Sequence, residues 1–359
     1  MLPVRIVTRH SENPLLTPEN VRPSQPDFEV HGVFNAGAAR VGKKTVLVLR
    51  ISERPKSRAK DIIRIPALTF VKNRPKLSFT DLSLKDPRYD FSEFSVVWTT
   101  KPPRVIRYLT SLSHLRLAWS EDGVRFRIES HPWLFPHTRE EAWGCEDARV
   151  TQIGKTYRVN YTAVSDLGIA TALASTRTFQ EPKRHGVIIA PANRDVTIFP
   201  EKISGKYAAH HRPMPAYIGG TNIWYASSPD FLHWGDHRFV AGPRPGLWDG
   251  EKIGGGAPPI RTPKGWLSIY HGVDRKNRYS LGALLTDLKQ PWKILARSRR
   301  PLLAPTAPYE RRGFVSNVCF TCGAVERNGD LWIYYGAADR VIALANAPIR
   351  DIVQSLTKS

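Results

Sequence analysis

One hairpin-like unit recurs five times along the 359 residues, and this repeat restricts the chain to a few architectures. Each copy runs from a polar or glycine-rich start through a short apolar strand, a turn, and a strongly apolar strand that ends on a polar residue. The copies span Phe34–Ser52, Asp147–Ser165, Asp195–Pro213, Gly254–Val273 and Asn317–Asp339. Their turns are Gly42-Lys43, Gly154-Lys155, Ser204-Gly205, Pro263-Lys264-Gly265 and Asn328-Gly329, the residue types that join antiparallel strands tightly. A further apolar strand follows each hairpin: Leu115–Ser120, Ile169–Ser175, Asn222–Ser228, Tyr279–Asp287 and Val341–Ala347. The ends of these strands repeat every 52 to 60 residues. Tails such as Phe126…Pro132 and Trp234…Pro243 supply an outer strand.

Four short strands per unit, five units and no long helical pattern give an all-β fold, a five-bladed β-propeller forming a single domain over residues 1–359. Only Ile349–Leu356 reads as a helix, a short one at the C-terminus. A β-sandwich or a solenoid accounts less well for the five-fold period. An insertion, residues 53–113, interrupts the first unit after its hairpin. In a propeller the innermost strands line a central channel, so equivalent positions far apart in sequence converge there. The hairpin ends are unusually polar for strand ends: Asn35 and Arg50, Asp147 and Arg149, Asp195 and Arg212, His271, Asn317 and Asp339. Carboxylates and guanidinium groups facing one channel suit a sugar or a phosphate.

Apolar residues make up 41% of the chain, enough for a large core. No 18-residue apolar run is present, which argues against a membrane span, and Met1–His10 lacks the apolar stretch of a signal peptide. A cytoplasmic protein is expected. Cys145, Cys319 and Cys322 are too few for a disulfide framework, and the single C-x-x-C pair lacks partners for zinc, so no metal is expected. His210 and His211, adjacent on a strand, point to opposite faces and cannot share an ion. The net charge of +21, from 53 Lys and Arg against 32 Asp and Glu, attracts anions in general. Its basic residues are scattered, as in Arg54–Arg58 and Arg297–Arg300, and no nucleic-acid-binding motif accompanies them, so nucleic acid is disfavoured as a partner.

Nine segments, in order from Asn13 to Asp339, resemble glycoside hydrolase family 130. They are Asn13-Pro-Leu-Leu-Thr-Pro, Phe34-Asn-Ala-Gly-Ala, Gly144-Cys-Glu-Asp-Ala-Arg-Val, Phe199-Pro-Glu-Lys-Ile-Ser-Gly-Lys-Tyr and His211-Arg-Pro, followed by Lys252-Ile-Gly-Gly-Gly-Ala-Pro-Pro-Ile, Trp266…Tyr270-His-Gly-Val, Gly313-Phe-Val-Ser-Asn-Val and Tyr334-Tyr-Gly-Ala-Ala-Asp. The resemblance implies a five-bladed propeller that cleaves β-mannosides, either as an inverting phosphorylase releasing mannose 1-phosphate or as a β-mannosidase. It needs no cofactor; inorganic phosphate is the co-substrate, and a β-mannoside oligosaccharide is the partner.

The resemblance further implies roles for individual residues. Asp147, in Glu146-Asp147-Ala148-Arg149 where the family has Glu-Asp-Pro-Arg, is the general acid, acting through a hydroxyl of the bound mannose. Arg194, Arg212 and His271 are the phosphate-binding set, since arginine holds phosphate oxygens in a fork. Asn35, Arg50, Asp195 and Asp339 bind substrate. Asp195 stands where one phosphorylase group has Asn, and its charge weakens a phosphate site unless an arginine pairs with it. The retained basic set favours phosphorolysis over hydrolysis. A hydrolase would draw its base from Glu201, Glu251 or Glu310, of which the first two are expected to pair with Lys202, Lys252 or local arginines. A third reading is a non-catalytic propeller that binds an acidic polymer through the net charge. The insertion either lies over the channel mouth, shaping the leaving-sugar site, or mediates assembly into a homo-oligomer.

Overall fold

The computed structural model describes residues 6–57 and 59–357; residues 1–5 of the N-terminal segment, Arg58 of the basic run and residues 358–359 lie outside the described residues. The chain is all-β, with one helix of more than a single turn among the described residues, Ile349–Thr357, one residue longer than expected. Each expected hairpin is present and heads an antiparallel unit.

The first unit is Phe28–Val41, Lys44–Pro55, Leu112–Ser120 and Arg127–Ile128; the second is Gly144–Ile153, Thr156–Ser165, Gly168–Thr176 and Lys183–Ile189. One parallel register pair, Gly144 with Ser113, joins these two into an eight-stranded sheet. Asn193–Ile198, Tyr207–Pro213, Ile223–Ser228 and Gly235–Ala241 form the third unit. The fourth contains Lys252–Gly255, Gly265–Val273, Tyr279–Thr286 and Ile294–Arg297, with Ile260–Thr262 paired beside Gly265–Val273. The fifth is Cys319–Arg327, Asp330–Ala337 and Val341–Pro348. Local chemistry explains the hairpins: in the last one Asn328 and Gly329 both take positive φ, 53° and 84°, the geometry that matches strand twist in a two-residue turn.

The apolar faces of these strands pack between consecutive units. Val48 and Leu115 meet Val159 and Ala172 between the first and second. Leu173 meets Val196 and Ile198 between the second and third, and Phe199 and Tyr225 meet Ile253 and Trp266 between the third and fourth. Leu267 and Leu281 meet Ile333 and Tyr335 between the fourth and fifth. A further cluster joins Tyr334 and Leu344 of the fifth unit to Val33 and Leu47 of the first.

The insertion folds into a hairpin, Ile62–Val71 with Arg74–Ser83, and a three-stranded sheet, Tyr89–Asp90, Val96–Thr99 and Ile106–Leu109. Ile65, Leu82 and Val97 form its own small core. The Leu68 amide donates to the Ala142 carbonyl at 2.8 Å, tying the hairpin to the segment that leads into the second unit.

No sequence signal marks the strand Thr8–Arg9, which pairs with Val341–Pro348 and supplies the fourth strand of the fifth unit. Arg9 anchors it: Nε donates to Glu310 Oε1 at 2.6 Å and Nη2 to Oε2 at 2.9 Å, while Glu310 is fully buried. Replacing Arg9 with Ala leaves that carboxylate with Tyr335 and two backbone amides but no counter-charge. Urea unfolding of Arg9→Ala is expected to show a loss of about 3 kcal/mol, the low end for breaking a buried pair; a loss under about 0.5 kcal/mol would mean the strand is not held by this contact.

Candidate active site

Three inner strands carry the same irregularity at the same place. The register between paired strands shifts between Phe34 and Gly37, between Glu146 and Arg149, and between Arg194 and Thr197. Inside each shift sits one residue in the left-handed region: Asn35 at φ 50°, Asp147 at φ 49° and Asp195 at φ 57°. Asn and Asp tolerate this region better than other side chains, and a bulge re-aims the side chain it carries. The sequence pattern of Asn or Asp followed by a small or β-branched residue therefore folds locally so that three polar side chains turn to one place. Asp339, at φ 50°, follows the strand Asp330–Ala337 and joins them.

All eight expected site residues, Asn35, Arg50, Asp147, Arg194, Asp195, Arg212, His271 and Asp339, line one cavity of about 160 Å³. Lys252, Tyr279 and Phe320 also line it. Asp147 is 5% exposed, and its Oδ1 accepts from Asn35 Nδ2 and Arg50 Nη1, each at 3.0 Å. Its Oδ2 has no protein hydrogen bond among the described residues. Arg50 is fixed in turn by Glu146 Oε1 at 2.7 Å, by Ser113 Oγ at 3.1 Å and by the Phe34 ring, 4.6 Å below the guanidinium. Arg194 reaches Glu146 Oε2 at 3.3 Å, and its buried Nε has no partner.

Asp195 is enclosed by cations. Its Oδ2 accepts from Arg212 Nε at 2.7 Å and faces His271 Nε2 at 3.6 Å; its Oδ1 accepts from Arg149 Nη2 at 3.1 Å. The aspartate that threatened an anion site is thus paired with two arginines. Gly254 permits the close approach, since a Cβ there would overlap both Asp195 Oδ2 and the His271 ring. Gly336 does the same for Asn35, whose Oδ1 occupies the space of a Cβ. Lys252 donates to the Tyr279 hydroxyl at 2.6 Å, not to Glu251.

Charge neighbours set the protonation states. Burial pushes the Asp147 carboxyl up, but Arg50, Arg194, Arg149 and the Asn35 amide outweigh it and hold it below its ordinary value. Asp195 is likewise opposed by burial, and Arg212, His271 and Arg149 keep it ionised far below the usual range. Burial above all lowers His271 to about 3, with Arg212, Lys252 and Arg149 adding to it and Asp195 opposing. His271 is therefore neutral near pH 7. Asp339 moves the other way: burial raises it to about 6, with Asp147 and Glu146 adding and Arg50 resisting. Among the described residues no group of three or more His, Cys, Asp or Glu could hold a metal ion.

Comparison with known proteins fits this geometry. The glycoside hydrolase family 130 profile, described as beta-1,4-mannooligosaccharide phosphorylase, matches residues 105–358. The chain belongs to glycoside hydrolase family 130. A beta-1,2-mannobiose phosphorylase from Listeria innocua is 44% identical over 350 residues, 98% of each chain. Its solved structure, a complex with beta-1,2-mannobiose, has a TM-score of 0.95 and covers 98% of this chain and 99% of that one. A beta-1,4-mannooligosaccharide phosphorylase from Ruminococcus albus is 33% identical over 251 residues, 67% of this chain and 75% of that one.

Within this family 130 chain, the three glutamates considered as a hydrolytic base all lie elsewhere. Glu310 is buried against Arg9, Tyr335 and two backbone amides. Glu201 is exposed and pairs with Arg261, and Glu251 is exposed and pairs with Arg275. Sequence reasoning passed over Arg149 as a site residue, although it stands two places from Asp147. Besides Asp195 it donates to the carbonyls of Gly255 and Gly256 at 2.9 Å and of Asp147 at 3.0 Å, contacts from three units that no spacing signals. The repeated polar strand ends were the available clue.

The raised Asp339 carboxyl makes stability depend on pH. Its folded value lies above the unfolded 3.8, so its ionisation penalty is absent below about pH 4 and grows as pH rises through about 6. Asp339→Asn is expected to raise Tm by about 2 °C at pH 8 and to leave it unchanged near pH 4. Scanning calorimetry at the two pH values checks this; an equal shift at both would refute the pH-linked origin.

Proposed function

We propose that this chain is an inverting β-mannoside phosphorylase that cleaves β-mannosides with inorganic phosphate and releases mannose 1-phosphate. The observation that carries the reading is the composition of the cavity: a buried carboxylate, with one oxygen unbonded among the described residues, shares it with three arginines, a lysine and a neutral histidine. The Listeria innocua relative, matched over 98% of both chains, supports a β-1,2 linkage between the sugars.

In this reading Asn35, Arg50 and Asp339 hold the mannosyl unit, where hydroxyl groups meet fixed donors and acceptors. Phosphate lies against Arg194, Arg212 and His271. One phosphate oxygen forms the new bond to the anomeric carbon as the glycosidic bond breaks from the opposite face. The leaving oxygen keeps the electron pair of that bond and takes up the proton supplied by Asp147, so the configuration inverts. No protein base is needed, because phosphate is itself the nucleophile. Asp195, with both oxygens engaged by arginines, positions Arg212 and leaves phosphate the outward side of the guanidinium. The bound dianion cancels part of the field that keeps Asp147 ionised, which raises its proton affinity when the proton is required.

The five packed units are read as the blades of a β-propeller within a single domain, with the cavity at their common centre. The contacts from each unit to the next, and from the fifth to the first, support this arrangement. Among the described residues no helix is long and apolar enough to cross a membrane.

Release of mannose 1-phosphate from β-1,2-mannobiose, with and without phosphate, tests the assignment. The wild type is expected to give mannose 1-phosphate only with phosphate. Asp147→Asn is expected to lower kcat by about 10²- to 10⁴-fold, the usual contribution of a general acid. Arg194→Ala should raise the KM for phosphate roughly tenfold or more, as loss of a charge-assisted contact does, with the KM for mannobiose changed much less. Mannose formed without phosphate would make the protein a hydrolase, and no product from any β-mannoside would end the substrate assignment.

A further inference from the structure

The insertion is the element that the functional reading leaves unused. The family match begins at residue 105, after most of it, whereas the 44% identical relative is matched over 98% of the chain. One of its side chains reaches the cavity rim. Phe94 is 48% exposed, and its ring meets Phe314 edge-on with centroids 4.8 Å apart. The residue after Phe314, Val315, lines the cavity and bonds through its amide to the Ala338 carbonyl, next to Asp339. Arg54 lies over the Phe94 ring at 4.5 Å, and His31 approaches it at 5.5 Å.

These contacts fix the depth of Phe94. His31 and Arg54 each stand four residues along their strands from Asn35 and Arg50, roughly 13 Å from them. That is on the order of the length of a disaccharide. The backbone that carries the ring is also held: Thr110 donates through Oγ1 to the Phe94 carbonyl at 2.6 Å and through its amide to Ser95 O at 3.1 Å. An exposed aromatic that the backbone, a cation and a second ring all brace is preorganised to meet a ligand.

We propose that the insertion supplies a specificity-determining platform in which Phe94, braced by Phe314, stacks against the apolar ring face of the leaving sugar. The proposal rests on the phosphorylase reading and deepens it. Hydrogen bonds fix the mannosyl unit at the bottom of the cavity, and the second sugar is read at the rim by shape and C–H surface. Phe94 touches neither the anomeric carbon nor the phosphate, so its removal acts on one substrate alone.

The synthetic direction separates the two substrates, because mannose 1-phosphate and the acceptor mannose have separate KM values. Phe94→Ala is expected to raise the KM for the acceptor roughly 5- to 10-fold, the effect of one aromatic contact, while the KM for mannose 1-phosphate stays within about twofold. Phe94→Leu should resemble Ala, since it packs on Phe314 but offers no flat face, and Phe94→Trp should keep the acceptor KM at or below that of the wild type. If Phe94→Ala does not fold, the comparison of Leu with Trp decides. An acceptor KM unchanged in Ala and Leu, or a parallel rise in both KM values, overturns the platform. A wild type that forms no mannobiose from mannose 1-phosphate and mannose refutes the phosphorylase reading instead.

Discussion

A carboxylate that is 2% exposed keeps its charge only if cations face it, and Asp195 takes one from its own sheet and one from the sheet before it. Arg212 belongs to the third unit with Asp195, Arg149 arrives from the second, and the neutral His271 faces them from the fourth, where Gly254 clears the space. Removing either arginine would leave the buried ion with half its compensation, so the second and third units are tied together at the cavity floor by one charge. The tie is also an aiming device. A guanidinium held by a carboxylate on one edge presents its other edge in a fixed direction, and a planar fork in a fixed direction suits a phosphate.

The bulges show how the same backbone device serves different chemistry. Asn35, Asp147 and Asp195 share one local conformation, yet one donates an amide hydrogen, one keeps a free oxygen, and one is fully engaged by cations. A non-glycine residue in the left-handed region carries strain, and it persists only where the surroundings over-determine it. Here the sheet ladders on both sides of each bulge provide that constraint.

The sequence exposed the hairpins and most of the cavity lining because both depend on short-range signals that repeat. Asn328-Gly329 dictates its own turn, and polar residues recur at the ends of the hairpins. It was silent where partners are distant. Thr8–Arg9 is two residues long and has no periodicity; its identity as a strand comes from Val341–Pro348, and its anchor, Glu310, is 301 residues away. Lys252 stands beside Glu251 in sequence but donates to the Tyr279 hydroxyl, a partner 27 residues away. Phe94 lacks a pattern as well, since an exposed aromatic in an insertion gains meaning only from Phe314.

The strand Thr8–Arg9 has a consequence for how the protein is made. It is synthesised before the other described strands, while the strand it pairs with is synthesised after them. During synthesis the earlier units can form in order, each against its predecessor, but the fifth sheet stays one strand short with an open edge until the N-terminus returns. An open edge is a template for pairing with another chain. Closing the fifth sheet therefore joins two segments more than 330 residues apart rather than extending the packed units, and until it closes that edge is exposed to misassembly.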